Sequence, residues 1–269
     1  MMRLTVIIPA AGASRRYGEG APELQGRSKL DEDMAGRPLL QRTVEIFVKR
    51  DDVAHIIVAA PAEDDAFNEF RERHGDKLGL LGVAICRGGA EHRWESVKNA
   101  LELVPHDGAH VAIHDAARPC APIEMVDRIF EAAAKYPAVV PAIDVADTLK
   151  RVSAEAKQDR DIDPLDAILG EAGREGVTLR TVEETIPRER LVAVQTPQVF
   201  ELELLQRAYA QKDLSSTDDA GLVERLGEQV VVVEGDPRNL KVTRPADLKM
   251  AMSILGLRES SGRATHKKF

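Results

Sequence analysis

The sequence predicts an α/β fold built on a doubly wound, mostly parallel sheet, and three observations predict it. The first is a continuous apolar run, Leu4 to Ile8, too short to cross a membrane and rich in β-branched residues, as expected of a strand buried on both faces. The second is alternation. Strand-like runs at Ile56 to Ala60 and near Val83 to Cys86 are separated by segments of helical spacing, with Leu40, Val44, Phe47 and Val48 on one face of the first and about Ala62 to His74 in the second. The third is size, since 269 residues with 43% hydrophobic content suit one large core. Sheets of this kind bind ligands beyond the carboxyl ends of their strands.

Taken in order, the first strand stops abruptly at Pro9 and Gly12. The small residues Ala10, Ala11, Ala13 and Ser14 let a ligand approach the backbone, and Arg15 and Arg16 follow at once, a setting that suits phosphate. The spacing is neither a Walker A loop nor the three-glycine dinucleotide fingerprint, and an ordinary strand-to-helix loop with a solvated Arg pair stands as the equal alternative. Tyr17 to Gly26 is rich in Gly, Pro and Glu and reads as a flexible loop; it delivers Arg27-Ser28-Lys29-Leu30. Lys29 could clamp phosphates when that loop closes, or be a solvated surface lysine. Pro38 opens the first helix.

The loop from Arg87 to Val97 lies at a strand end. Gly88 and Gly89 allow close backbone approach, Arg93 can meet a phosphate, and Ser96 can hydrogen-bond a base at the start of a helix expected over Val97 to Leu103. Alternatively, Ser96 is a plain helix residue and Trp94 a lid over the core. The next strand, Ala109 to Ile113, runs into His114-Asp115-Ala116-Ala117-Arg118-Pro119, where Asp115 can hold a metal or anchor a polyol and phosphate. The plainer reading is a loop salt bridge between Asp115 and Arg118, worth little if exposed. His106, His110 and His114 recur every four residues, but the last two lie in or beside a strand, so a zinc site is not expected.

The formal charge of −8, with no long basic run, argues against nucleic-acid binding. Cys86 and Cys120 stand far apart with no thiol at metal spacing, which fits a reducing cytoplasm. Met1-Met2-Arg3 before an apolar run loosely mimics a signal peptide, but Pro9 interrupts it, and no stretch could span a membrane. Further on, a strand at Ala138 to Ala142 leads through Asp147 to Val152 into a charged segment, Ser153 to Glu171, in which Ile168 and Leu169 are available as apolar anchors. Its composition is that of a surface insertion. Phe200 to Leu205 begins a helix, Gln229 to Val233 is a strand, Pro245 starts the closing helix, and 258–269 is a polar, basic tail.

One set of residues recurs in order from about Leu4 to Leu255: Pro9-Ala10-Ala11-Gly12 with Arg16, Lys29, Gly88-Gly89 with Arg93 and Ser96, and His114 to Pro119. Asp147-Thr148-Leu149-Lys150, Arg188 before Thr196-Pro197-Gln198, Thr217-Asp218-Asp219-Ala220, and Asn239 to Thr243 with Pro245 and Asp247-Leu248 complete it. With these motifs the chain resembles the 2-C-methyl-D-erythritol 4-phosphate cytidylyltransferases. The resemblance implies a Rossmann-like, doubly wound domain over 1–257 with a protruding β-arm at about 142–190 that makes a homodimer with a shared active site. It implies a cytoplasmic, Mg2+-dependent enzyme that joins CTP to methylerythritol phosphate with release of pyrophosphate.

By the same resemblance, Arg16 and Lys29 are the catalytic cations. Pro9, Ala10, Ala11, Gly12, Ala13, Ser14, Gly89, Arg93 and Ser96 bind the nucleotide, and Asp115, Arg118, Thr148, Arg188 and Lys241 bind the polyol phosphate, the three middle ones from the partner or along the shared pocket. The magnesium ligands stay open, with Glu234 to Asn239 offering an acidic residue and an Asn. Two departures matter. Ser28 stands where the family commonly has Pro, so Arg27 competes with Lys29, and Ser14 stands where Gly is frequent. The arm is longer than usual. A ribitol 5-phosphate cytidylyltransferase, a sugar nucleotidylyltransferase and a nucleotide-binding regulatory module remain as alternatives.

Overall fold

The computed structural model describes residues 3–12, 14, 17, 27–105, 109–159 and 177–258. The chain begins β1 (Leu4–Pro9), a 3-10 turn (Lys29–Asp31), α1 (Leu39–Val48), β2 (Val53–Ala60), α2 (Asp64–Leu80), β3 (Ala84–Arg87), α3 (Arg93–Leu101), β4 (His110–Ile113), α4 (Ile123–Ala133) and β5 (Ala138–Asp144). It divides into two units. The larger holds the described residues up to Ile143 and from Val194 onward, and the smaller is Asp144–Ala193.

The smaller unit carries β6 (Leu149–Val152), β7 (Lys157–Asp159), β8 (Val177–Leu179) and β9 (Val182–Ile186). β6 pairs antiparallel with β9 and β7 with β8. Its apolar side chains Val152, Leu179, Val182, Leu191 and Val192 are exposed. Ile168 and Leu169 lie outside the described residues. A short strand, β10 (Val192–Val194), marks the return to the larger unit, which continues with β11 (Gln198–Glu201), α5 (Leu202–Tyr209), α6 (Ala220–Glu224), β12 (Val231–Glu234) and α7 (Pro245–Ile254).

The sheet of the larger unit runs β5-β11-β4-β1-β2-β3, with β12 parallel to β5. β1 lies parallel between β2 and β4, whereas β11 runs antiparallel between β4 and β5. Alternation along β1 builds the two layers: Leu4, Val6 and Ile8 join α1 and α4 residues such as Leu40, Phe47, Met125 and Ile129, while Ile7 joins Val97, Ala100 and Leu205 on the opposite face. Full burial of both faces explains a run that is apolar but for Thr5, which is itself fully buried.

Three boundaries differ from expectation. α2 runs on to Leu80, and α3 begins at Arg93 rather than Val97 because the Glu95 carboxylate accepts the backbone N–H groups of Glu91 and His92, closing the helix start. Phe200 belongs to a strand: Val199 and Phe200 bury themselves on opposite faces of the sheet, and the helix starts at Leu202.

Candidate active site

The parallel strands β1 and β4 end together with the start of α3, and a cleft of about 570 Å³ opens there. Pro9, Ala10, Ala11, Gly12, Ser14, Lys29, Gly89, Arg93, Ser96, Asp115 and Lys241 all line it. Ser14 has φ +51°, the left-handed conformation that glycine adopts most freely. Its hydroxyl accepts the Lys29 backbone N–H at 3.3 Å, which ties the 3-10 turn to the β1 loop. The turn is capped by Ser28, whose Oγ accepts the Leu30 N–H, and Leu30 is buried beneath it. Lys29 Nζ donates to the Val242 carbonyl at 2.8 Å. Behind the turn, Asp31 accepts from His74 Nε2 at 2.7 Å and pairs with Arg73. Burial alone would raise the Asp31 carboxyl, but His74 and then Arg73 hold it below the usual range.

Two glycines bring the next wall close. A Cβ on Gly88 would sit 2.7 Å from both the Ala60 carbonyl and Ser96 Oγ, so only glycine fits. Gly89 donates its N–H to Ser96 Oγ at 2.9 Å. Ser96 is a buried residue of the first turn of α3, and its hydroxyl, used here as an acceptor, lines the cleft with a proton left to donate.

Opposite, Asp115 follows β4. Lys241 Nζ lies 2.9 Å from Oδ2, Arg118 Nε 3.2 Å from the same oxygen, and Arg93 Nε 3.5 Å from Oδ1. Burial would raise this carboxyl, but Lys241, then Arg93 and Arg118, hold it well below the ordinary carboxylate value. The expected Asp115–Arg118 loop pair is present, but it is not an exposed one, since the two side chains retain only 11% and 12% exposure. Arg118 itself is braced by donating to the Asn239 carbonyl at 2.6 Å.

His114 locks the turn from below. Its Nε2 is 3.0 Å from the Arg118 carbonyl, which can only accept, so Nδ1 accepts from the Thr196 hydroxyl at 3.2 Å. Thr196 Oγ1 in turn accepts the Asp115 backbone N–H at 3.1 Å. Complete burial pushes His114 down to about 4, which keeps it neutral.

Arg93 also faces away from the cleft, toward a second hollow of about 560 Å³ lined by Trp94, Lys98, residues 211–219 and Leu222. There Arg93 Nη1 donates to Asp219 Oδ2 at 2.7 Å, and Tyr209 Oη donates to Asp219 Oδ1 at 2.5 Å. Trp94 stacks on His92 beside this hollow.

Ala13 and Arg16 lie outside the described residues. Thr148 and Arg188 belong to the smaller unit, where Arg188 Nη1 donates to the Ala146 carbonyl. Neither Glu234, exposed on β12, nor Asn239, fully buried with Nδ2 on the Thr196 carbonyl, lines the cleft, and Arg27 does not line it either. The Asp219 and Tyr209 contacts have no counterpart in the sequence reading. The signal was present in the α5 spacing, because Leu202, Leu205 and Tyr209 share one buried face and a buried phenol needs a partner. Among the described residues no group of three His, Cys, Asp or Glu side chains gathers around a metal position.

The family model described as IspD, 2-C-methyl-D-erythritol 4-phosphate cytidylyltransferase, matches residues 4–162 and 171–257. A 2-C-methyl-D-erythritol 4-phosphate cytidylyltransferase of Frankia casuarinae is 40% identical over 94% of this chain and 81% of its own length. One from Solibacter usitatus is 37% identical over 98% of this chain and 99% of its own. Among solved structures, a 4-diphosphocytidyl-2C-methyl-D-erythritol synthase superposes with a TM-score of 0.70 at 27% identity, covering 95% of this chain and 99% of the other. The 2-C-methyl-D-erythritol 4-phosphate cytidylyltransferase from Thermus thermophilus gives 0.65 at 32% identity, covering 94% and 98%. Fold, cleft and matches converge, and the chain belongs to the 2-C-methyl-D-erythritol 4-phosphate cytidylyltransferase family.

Proposed function

We propose that this chain transfers the cytidylyl group of CTP to 2-C-methyl-D-erythritol 4-phosphate, giving 4-diphosphocytidyl-2-C-methyl-D-erythritol and pyrophosphate, in the non-mevalonate route to isoprenoids. The observation that carries the reading is the surplus of cations around Asp115: Lys241, Arg118 and Arg93 converge on one carboxylate, with Lys29 on the same cleft. Such a site neutralises two phosphorylated substrates, which is what the reaction requires.

An oxygen of the acceptor phosphate attacks the α-phosphorus of CTP. A new P–O bond forms, the α–β bridge breaks, and its electron pair leaves on pyrophosphate, so no protein base is needed. Backbone groups of Ala10 to Gly12 and Ser14 cradle the triphosphate, Lys29 and Arg16 counter the charge on the transferring phosphoryl group, and Ser96 donates toward the base. Asp115 and Lys241 orient the polyol phosphate. Arg118, Thr148 and Arg188 complete that pocket through a homodimer in which the arm of one subunit reaches the other; the exposed apolar side chains of the Asp144–Ala193 unit support such a partner surface.

Magnesium fits as part of the nucleotide substrate. It needs only one or two protein carboxylates when phosphates complete its shell, and the cleft offers few. Among the described residues Glu91 and Asp115 are the carboxylates on the cleft that would hold it, and bound with CTP it would neutralise triphosphate charge and assist the departure of pyrophosphate. Among the described residues no helix is long and apolar enough to cross a membrane. A cytoplasmic setting is supported by the two free, unpaired thiols Cys86 and Cys120. The test is pyrophosphate release by the purified chain with magnesium and CTP, with methylerythritol phosphate and ribitol 5-phosphate supplied separately. Release with the first acceptor is expected. Release with ribitol 5-phosphate alone, or silence with both, would overturn the reading.

A further inference from the structure

We infer that Tyr209 and Asp219 are positioning residues that aim the Arg93 guanidinium into the cleft. The pair stands behind the ligand-facing wall, and its assignment deepens the proposed cytidylyl transfer, resting on that reading and on the nucleotide-binding role that the family resemblance implies for Arg93. Asp219 has no exposed surface. A carboxylate in that setting is tolerated only when its oxygens are satisfied, and here one takes Arg93 Nη1 and the other the Tyr209 hydroxyl. Tyr209 is itself buried on α5. Burial and then the Asp219 charge push the phenol well above its ordinary value, so it stays a hydrogen-bond donor.

The turn that carries Asp219 is fixed to the sheet rather than left to solvent. Gln198 of β11 donates from Nε2 to Asp218 Oδ2 at 2.8 Å and accepts the Ala220 N–H at 3.1 Å. The shorter contact of Arg93 is with Asp219, at 2.7 Å, against 3.5 Å to Asp115. Asp219 therefore sets where the guanidinium plane lies, while Asp115 takes the weaker contact at Nε. Among the described residues Arg93 Nη2 has no partner, and the side chain keeps 32% of its surface open. With Nη1 hydrogen-bonded to Asp219 and Nε in an ion pair with Asp115, Nη2 is left to present its N–H groups in a fixed direction, as an anionic oxygen requires. A guanidinium held this way loses little freedom when the ligand arrives.

Tyr209→Phe tests this without changing the packing volume, and Asp219→Asn removes the charge while keeping the shape. In steady-state kinetics, Tyr209→Phe is expected to raise KM for CTP about fivefold and Asp219→Asn at least tenfold, with KM for the polyol phosphate within twofold of wild type. In an Arg93→Gln background the Tyr209→Phe increment on KM for CTP disappears if the tyrosine acts through Arg93. An increment of the same size there, or equal changes in both KM values accompanied by a lower Tm, would overturn the assignment. A measurement independent of turnover separates the two readings: the Arg93 Nε–H resonance in the ligand-free protein, slow to exchange in wild type and lost or fast-exchanging in Tyr209→Phe. Its loss in a protein that does not turn over CTP upholds the positioning pair while refuting the reaction. Its persistence in Tyr209→Phe refutes the pair whatever the activity.

Discussion

Asp115 and Asp31 are both carboxylates held below their usual range by basic neighbours, and each stands beside a residue of the cleft, yet they are built differently. The partners of Asp115 come from three separate places in the chain, Arg93, Arg118 and Lys241, and its side chain is 11% exposed. The partners of Asp31 both come from α2, and the pair it makes with Arg73 is half open to solvent. Even with Asp219 also on Arg93, the three cations around Asp115 face only two carboxylates, so the cluster keeps a net positive charge. Asp31 is instead a latch that holds the turn bearing Lys29 against the outer helix. A depressed carboxylate alone therefore does not mark a ligand site; the number and origin of its cations do.

Substitutions at these two centres sharpen or break that contrast. Asp115→Asn keeps the volume but leaves three cations without their common partner, and kcat/KM for pyrophosphate release should fall by at least about a hundredfold. A loss under tenfold would mean that the cations do not need Asp115 to form the binding surface. Next in size is the effect of His114, which holds the Asp115 turn while neutral. Its folded value near 4 lies below the value of about 6.5 expected unfolded, so the unfolded chain binds the extra proton between those limits. Stability therefore falls as pH drops through that window, by on the order of 3 kcal/mol from this group. Denaturant unfolding at pH 7 and 4.5 should show that loss in wild type and a much flatter dependence in His114→Gln.

Asp31→Asn should reduce stability by about 1–2 kcal/mol in urea unfolding, through the weakened His74 and Arg73 contacts, and raise KM for CTP only a few-fold. If it abolished turnover as Asp115→Asn does, the distinction between latch and ligand site would collapse. Arg73→Gln removes only a half-exposed partner and should change stability by about 0.5 kcal/mol or less.

How much of this was legible depended on whether the cause was local. The buried strands β1, β2 and β4 declared themselves by apolar runs, because burial on both faces is written into every consecutive residue. The cleft residues at their ends followed from the small side chains Ala10, Ala11 and Ser14 beside Gly12 and from Asp115, while the family motif tied Lys241 to them. The antiparallel β11 was harder: a four-residue strand running directly into α5 gives no period long enough to separate from the helix. The start of α3 hides because His92 is no ordinary cap, and the signal sits instead at Glu95. Asp219 was visible only as part of a motif, since its partners Arg93 and Tyr209 lie 126 and 10 residues away and only the fold joins all three.

The antiparallel direction of β11 has one more consequence. Because β5 and β11 are neighbours running opposite ways, β5 ends and β11 begins at the same rim of the sheet, where the chain departs at Asp144 and returns at Val194. That rim acts as a port. Whatever is inserted between departure and return closes the same short gap, and each doubling of its length costs only about 0.6 kcal/mol in closure entropy. Length added between the two points therefore leaves the strands that carry Asp115 and the Ala10 to Gly12 turn in register, so an arm that keeps Thr148 and Arg188 can be extended elsewhere at little cost to the larger unit.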